Sequence, residues 1–273
     1  MQTNWLQILQ KCSQKVRRKV VPLLKTEEGR KTFGVGAGGD QMKRIDIAAE
    51  EAITNTLKEH KVSYTLISEE SGVEKIGVQP SEFYVTTDPL DGTTNAVRGV
   101  PFIATSIAVS KTRQLQDVET ALVSDLFHNI TYTAQRGRAV SRNGEKIKPS
   151  QLSSLEEAVL GVDFNTYKTA EVASKLTRVL EKTKHFRHFG ANALELCYVA
   201  DGTTDAFLDI RGKLRVTDIA AAYLVLREAG GVITTPEGNK LNAPLTPTQR
   251  VSFIATGNAQ LHQKITELLT LKK

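Results

Sequence analysis

The chain has 273 residues, 40% of them hydrophobic, 24% charged and 6% aromatic, with a formal net charge of +6. That length holds one large domain or two closely packed ones, and the balance is that of an ordinary globular protein rather than a disordered or fibrous one. The basic residues are dispersed and the aromatics few, so no basic stripe interleaved with stacking rings points to nucleic acid.

A mildly basic surface that draws in anionic substrates accounts for the charge, as does solubility alone. No run approaches the roughly 18 apolar residues of a membrane span. The opening Met-Gln-Thr-Asn-Trp lacks the basic and apolar regions of a signal peptide. Cys12 and Cys197 have neither metal-site spacing nor partners for a disulfide framework, so they are expected in the core of a chain kept in a reducing, cytoplasmic setting.

Trp5, Leu6, Ile8, Leu9, Cys12, Val16, Val20 and Leu24 recur at helical spacing and predict an amphipathic helix over 4–25, ending near Pro22. Residues 33–40, Phe-Gly-Val-Gly-Ala-Gly-Gly-Asp, form a glycine-rich run without the Lys-Ser/Thr of a nucleotide-binding loop. They are read as a mobile loop beside an active site. Arg44 to His60 is a second helix with Asp46 in its first turn, where an acid complements the helix dipole. Tyr64 to Ile67 is a short strand entering Ser68-Glu69-Glu70-Ser71-Gly72, and adjacent carboxylates at a strand end repel unless a cation or solvent relieves them.

Phe83 to Thr87 is the next strand, followed by Asp88-Pro89-Leu90-Asp91-Gly92-Thr93-Thr94-Asn95. Pro89 lacks a backbone donor and is expected to stop the ladder. Asp88 and Asp91 can converge on one point, while Gly92, Thr93 and Thr94 offer amides and hydroxyls to an anion. Carboxylates beside anion-binding amides make chemical sense when hard divalent cations bridge them to a phosphate. An Asp-Pro turn closed by Asp91-Gly92 reads the same five residues without a metal.

Residues 102–110, 121–124 and 130–134 alternate like strands, and Arg142-Asn143-Gly144-Glu145 signals a hairpin. Pro149-Ser150 marks a boundary between units 1–149 and 150–273, because strands alternate with helices beyond it. Residues 155–162 lead into a strand and 169–183 form a helix. His185 and His188 have no third metal ligand nearby, so Arg187 and the helix start at Gly190 to Asn192 are the better candidates to grip a phosphate or a sugar hydroxyl. A strand over 206–210 leads through Arg211 to Arg215 into a helix capped by Thr217 and running to Glu228. A strand at 232–234, a turn at 236–238, a strand at 251–256 and a helix at 259–271 complete the chain.

The string Asp-Pro-Leu-Asp-Gly-Thr-Thr-Asn at 88–95 resembles the central motif of the inositol monophosphatase family, a group of magnesium-dependent sugar phosphatases. Thr217-Asp218 resembles that family's second signature, with Thr in place of the usual Trp as in archaeal-type members. Glu69-Glu70-Ser71 and the acid Asp46 match further positions of the pattern. The resemblance implies a layered α/β/α/β/α sandwich of α+β class and a homodimer. It implies metal ligation by Glu69, Asp88, the Leu90 carbonyl, Asp91 and Asp218. It also implies a supporting acid at Glu70 and a water oriented by Thr93 hydrogen-bonded to Asp46.

Such an all-oxygen set suits two or three Mg²⁺ ions, with Mn²⁺ able to substitute, rather than zinc. Two such metals roughly 3.5–4 Å apart lower the pKa of a water and clamp the phosphate. Gly92 and Thr93 would hold that phosphate together with Asp91, and Arg187, Asn192 and Arg211 would bind the rest of the substrate. Arg211 replaces an acid that inositol-preferring members commonly carry, so it suits the second phosphate of fructose 1,6-bisphosphate. Dual activity on that ester and on inositol 1-phosphate is the expectation, with no nucleic acid or membrane partner. A 3′(2′),5′-bisphosphate nucleotidase and a non-catalytic nucleic-acid or regulatory binding protein are the alternatives.

Overall fold

The computed structural model describes residues 3–270, so Leu271 of the expected last helix lies outside the described residues. Helix α1 (Trp5–Val20) is capped by Asn4, whose Oδ1 accepts from the Gln7 amide at 3.2 Å, and a 3₁₀ turn containing Pro22 follows it. After the single turn α2 (Glu27–Arg30), strands β1 (Thr32–Val35) and β2 (Gln41–Lys43) pair as a hairpin. The glycine-rich stretch is therefore partly strand, and the loop proper shrinks to residues 36–40.

Helix α3 (Arg44–Glu59) leads to β3 (Tyr64–Ser68), β4 (Gly72–Ile76) and β5 (Tyr84–Asp91), then the short α4 (Thr93–Arg98). A meander follows: β6 (Ala104–Ser110), β7 (Val118–Asp125), β8 (Ile130–Gln135), β9 (Val140–Arg142) and β10 (Glu145–Lys146). The β9–β10 turn places Asn143 at φ 51° and Gly144 at φ 85°, the left-handed pair that a tight Asn-Gly hairpin requires. The remaining elements are β11 (Val159–Val162), α5 (Thr169–Leu180), β12 (His185–Arg187), α6 (Asn192–Ala200), β13 (Ala206–Arg215), α7 (Val216–Ala229), β14 (Val232–Thr234), β15 (Arg250–Thr256) and α8 (Ala259–Thr270).

Eight strands form one sheet in the order β10-β9-β8-β7-β6-β5-β3-β4, and five form another in the order β12-β11-β13-β15-β14. Period-two alternation sends opposite faces of each strand to different layers. On β6, Ile107 and Val109 join α1 and α3, whereas Ala104 and Ala108 join α6 and α7. On β13, Phe207 faces that same middle layer, and its neighbours Ala206 and Leu208 pack with α5 and α8. The architecture is thus α1/α3, large sheet, α6/α7, small sheet, α5/α8, a five-layered α+β sandwich. Helix α7 lies between two sheets, which is why Val216 through Leu226 are buried all round rather than along one stripe.

Three local expectations are corrected. Strand β5 does not stop at Pro89: Asp88 pairs with Ser106 and Asp91 with Ala104, so the proline sits in a bulge where its missing amide is tolerated. Strand β13 runs through Arg211 to Arg215 instead of ending at Ile210. The N-cap of α7 is Arg215 rather than Thr217, and the Asp218 carboxylate accepts the Arg215 amide at 3.2 Å.

Candidate metal centre

In the large sheet β3 and β5 are parallel, with Ser68 opposite Thr87, while every other adjacent pair is antiparallel. The carboxyl end of β3 therefore lies beside the second half of β5, and Glu69, just past Ser68, becomes the neighbour of Asp88, just past Thr87 within β5. Asp218 arrives from the first turn of α7. Glu69, Asp88 and Asp218 each offer an oxygen, and the three oxygens lie within 4.8 Å of one another.

These acids are held at an electrostatic cost. Burial raises the pKa of Asp88 well above the ordinary carboxylate value, and the nearby Glu69, Asp91 and Asp218 raise it further. Glu69 is shifted the same way, by burial and then by Asp218. Buried carboxylates that repel one another are relieved by protonation or by a cation, and an all-oxygen set of hard donors could hold a hard divalent ion such as Mg²⁺ or Mn²⁺.

Asp91 is buried, and its two oxygens accept the amides of Asn192 at 3.1 Å and Ala193 at 2.7 Å, capping α6. That use corrects the expectation that the α6 amides at Asn192 grip the substrate: Asp91 already holds them. The Asn192 Oδ1 is buried without a hydrogen-bond partner. Gly92 sits at φ 90°, where a Cβ would meet the Phe102 carbonyl at 3.1 Å and the Ala191 Cβ at 3.2 Å. Only glycine turns the chain there so tightly.

Thr93 opens α4. Its hydroxyl donates to Asp46 Oδ1 at 2.8 Å, and the Leu90 carbonyl stands 3.2 Å away. Asp46 Oδ2 accepts the Lys43 amide at 2.8 Å in the first turn of α3. Burial lifts the Asp46 pKa to about 6 against the pull of these hydrogen bonds. Glu70, half-buried, is pushed up to about 8 by burial and by the charges of Asp46 and Glu50.

The expected substrate arginines are placed differently. Arg211 is not presented to a second phosphate. Its Nη2 lies 2.6 Å from Asp163 Oδ2 and 2.5 Å from Asp209 Oδ2, its Nη1 donates to the Asn165 carbonyl, and only 6% of the side chain is exposed. The guanidinium is consumed by a buried ion-pair group. Arg187 is exposed on β12 and donates to the Phe186 carbonyl at 2.8 Å.

One residue absent from the sequence-derived set belongs to the centre. Arg215 pairs with Glu69, stands 3.4 Å from Asp218 Oδ1, and donates to Asp40 Oδ2 at 2.6 Å. Its only sequence signal was its place three residues before Asp218. In the run Arg-Gly-Lys-Leu-Arg it reads as one more surface cation.

The sequence profile of the inositol monophosphatase family matches residues 5–272. A fructose-1,6-bisphosphatase/inositol-1-monophosphatase of Methanothermobacter thermautotrophicus is 36% identical over 274 residues, covering 97% of this chain and 96% of that protein. A bifunctional NADP phosphatase/NAD kinase of Methanococcus maripaludis is 33% identical over 270 residues, covering 92% of this chain but 46% of that longer protein. Among solved structures, an inositol monophosphatase–fructose 1,6-bisphosphatase superposes with a TM-score of 0.85 at 29% identity, covering 97% of this chain and 100% of that one.

Proposed function

This chain belongs to the inositol monophosphatase family, and from that membership we propose that it hydrolyses fructose 1,6-bisphosphate and inositol 1-phosphate at the acid centre, with Mg²⁺ as the metal. The chain is a phosphatase, a hydrolase of phosphoric monoesters. The observation that carries the reading is the Thr93–Asp46 hydrogen bond standing at the same carboxyl end of β5 as Asp88 and its partners Glu69 and Asp218.

Glu69, Asp88, Asp91, Asp218 and the Leu90 carbonyl would hold two or three Mg²⁺ ions, or Mn²⁺ in their place. Bound there, the cations supply charge neutralisation for the phosphate and acidity for a water. The Thr93 hydroxyl donates its hydrogen bond to Asp46 Oδ1, so its oxygen lone pairs are free to accept a hydrogen bond from a water and orient it. As the water oxygen bonds to phosphorus and the ester P–O bond breaks, the water's proton would pass to Thr93 Oγ1 while the Thr93 proton moves to Asp46. The departing alkoxide would take a proton from solvent and leave as the alcohol. The Lys43 amide fixes the other Asp46 oxygen, which holds the carboxylate in line. Glu70 supports the metal side, and the amides of Gly92 and Thr93 take phosphate oxygens. Arg187 and the Asn192 side chain are proposed to meet the sugar or polyol.

A nucleotide substrate is the second reading. It is favoured by the NADP phosphatase relative and by Tyr167, a fully exposed ring in the segment after β11 whose neighbour Asn165 contacts His188 and Arg211. We further propose a homodimer working in a reducing cytoplasm without a nucleic-acid partner, where the buried thiols Cys12 and Cys197 stay free.

The test is phosphate release under Mg²⁺ from fructose 1,6-bisphosphate, inositol 1-phosphate and NADP. Turnover of the first two supports the proposal, and turnover of NADP alone moves the substrate to the nucleotide reading. No turnover with Mg²⁺ or Mn²⁺, accompanied by salt-dependent RNA binding, would replace the catalytic reading with a binding one.

A further inference from the structure

Arg215 sits where β13 passes into α7, with 10% of its side chain exposed, and its guanidinium joins three acids from distant parts of the chain. Nη2 pairs with Glu69 Oε1 and Nε stands 3.4 Å from Asp218 Oδ1. Nη1 donates to Asp40 Oδ2 at 2.6 Å and to the Gly38 carbonyl at 3.3 Å. Asp40 and Gly38 belong to the 36–40 loop. That loop leans on the centre through its own backbone, since the Gly38 amide donates to the Glu69 carbonyl at 2.7 Å and the Ala37 amide to the Glu70 carbonyl at 2.9 Å. Arg250 grips the same Gly38 carbonyl at 2.8 Å.

Two of the three acids that Arg215 holds, Glu69 and Asp218, are the ones that with Asp88 offer oxygens to a cation. A carboxylate lone pair directed at a guanidinium is unavailable to a metal, and a fixed positive charge beside a divalent ion repels it. A guanidinium removed from those carboxylates needs another acid, because a buried unpaired charge is costly. Asp40 is already in contact, and its own side chain is 76% exposed on the loop. The arginine can therefore shift outward without losing all its partners.

From this geometry we infer that Arg215 is a tethered counter-ion of the metal centre. It neutralises Glu69 and Asp218 in the metal-free protein and gives way toward Asp40 when a divalent cation takes those carboxylates. The inference rests on the metal-centre reading above. It has two consequences: Arg215 lowers the affinity that the carboxylates alone would have, and its displacement transmits metal occupancy to the 36–40 loop.

The test uses the full chain, Mn²⁺ alone as the probe, and readouts that need no turnover. Free Mn²⁺ is counted by paramagnetic resonance, melting is followed in chelator and in metal, and amide exchange is read across residues 36–40. Arg215→Gln is expected to bind Mn²⁺ roughly tenfold tighter or more, the ratio set by losing one close charge contact. It should also melt lower in chelator and show a larger rise on metal addition. Arg215→Lys keeps the charge and guards against a Gln variant that does not fold. Its single ammonium cannot span Glu69 and Asp40 together, so exchange in the loop loses its response to Mn²⁺. Unchanged or weaker Mn²⁺ binding by Arg215→Gln, or a Lys variant whose loop still responds as wild type does, overturns the counter-ion role while wild-type binding leaves the metal centre standing. Failure of the wild type itself to bind Mn²⁺ removes the metal centre, and the inference with it.

Discussion

Thr93 Oγ1 donates to Asp46 Oδ1 at 2.8 Å, tying the first residue of α4 to the first turn of α3 across 47 positions of sequence. Because the Lys43 amide occupies the other Asp46 oxygen, the two side chains act as one unit. Thr93→Ala and Asp46→Asn should each lower kcat by about 10²–10⁴-fold with little change in KM, the range for a lost proton-transfer partner. The double variant should be scarcely worse than either single one. Steady-state kinetics on the preferred ester checks this, and additive losses would mean that the residues act separately.

The same pair predicts an acidic limb. The folded Asp46 pKa is raised to about 6 from 3.8, so the carboxylate gains a proton, and loses its power to accept one, as pH falls through about 6. The kcat profile of the wild type should bend there. A bend near the ordinary aspartate value would show that Asp46 is not the acceptor.

Asp88 is a carboxylate whose ionised form costs stability, since burial and then the charges of Glu69, Asp91 and Asp218 all oppose it. Asp88→Asn keeps an oxygen to accept the Leu90 amide, now at 3.1 Å, and removes the repulsion. In chelator the variant should melt higher than wild type by roughly 2–4 °C, for about 1 kcal/mol of relief in a chain of this size. The rise on adding Mg²⁺ should disappear along with the activity. Paired melts with and without Mg²⁺ decide it.

Arg211→Ala separates structure from recognition. The side chain stands between Asp163 and Asp209, which would be left buried without their partner. The loss should be about 3–5 kcal/mol of stability. Fructose 1,6-bisphosphate and inositol 1-phosphate should suffer alike in kcat/KM. A stable variant that loses the bisphosphate selectively would restore Arg211 as a second-phosphate ligand.

Glu195 supplies a linkage test outside the acid centre. Its Oε1 accepts the amides of Phe189 and Gly190, its Oε2 has no partner, and burial first of all raises its pKa from 4.5 to about 8. The folded state therefore holds a proton that the unfolded chain releases. The stability it gives is full below pH 4.5 and is lost as pH rises toward 8. Glu195→Gln cannot titrate, so its melting temperature relative to wild type should climb steadily from pH 5 to pH 8. A difference independent of pH would mean that Glu195 stays ionised.

Much of this was legible in one dimension. Period-two runs gave β6, β7 and β8, Asn143-Gly144 gave the hairpin, and the acids at 69, 88, 91 and 218 stood out because of their motif contexts. Pro89 misled because a proline ends a regular ladder but not a bulge, and a bulge depends on the partner strand. Strand β4 has no sequence signature of its own, because the carboxylate-rich approach to it resembles a solvated turn.

By itself the sequence determined the chemical inventory: carboxylates at 46, 69, 70, 88, 91 and 218 and a Gly-Thr pair at 92–93, oxygen donors and backbone amides in motif context. It also determined the local periods from which layers are built. Tertiary structure alone decided which charges meet. Arg211 and Arg215 lie four residues apart on one strand and are the same residue type. Yet β13 delivers the first to Asp163 and Asp209, and the second to Glu69, Asp40 and Asp218. A guanidinium's role follows from the carboxylates within reach, and those are set by the parallel β3–β5 pair and the packing of α7, contacts that no local pattern encodes.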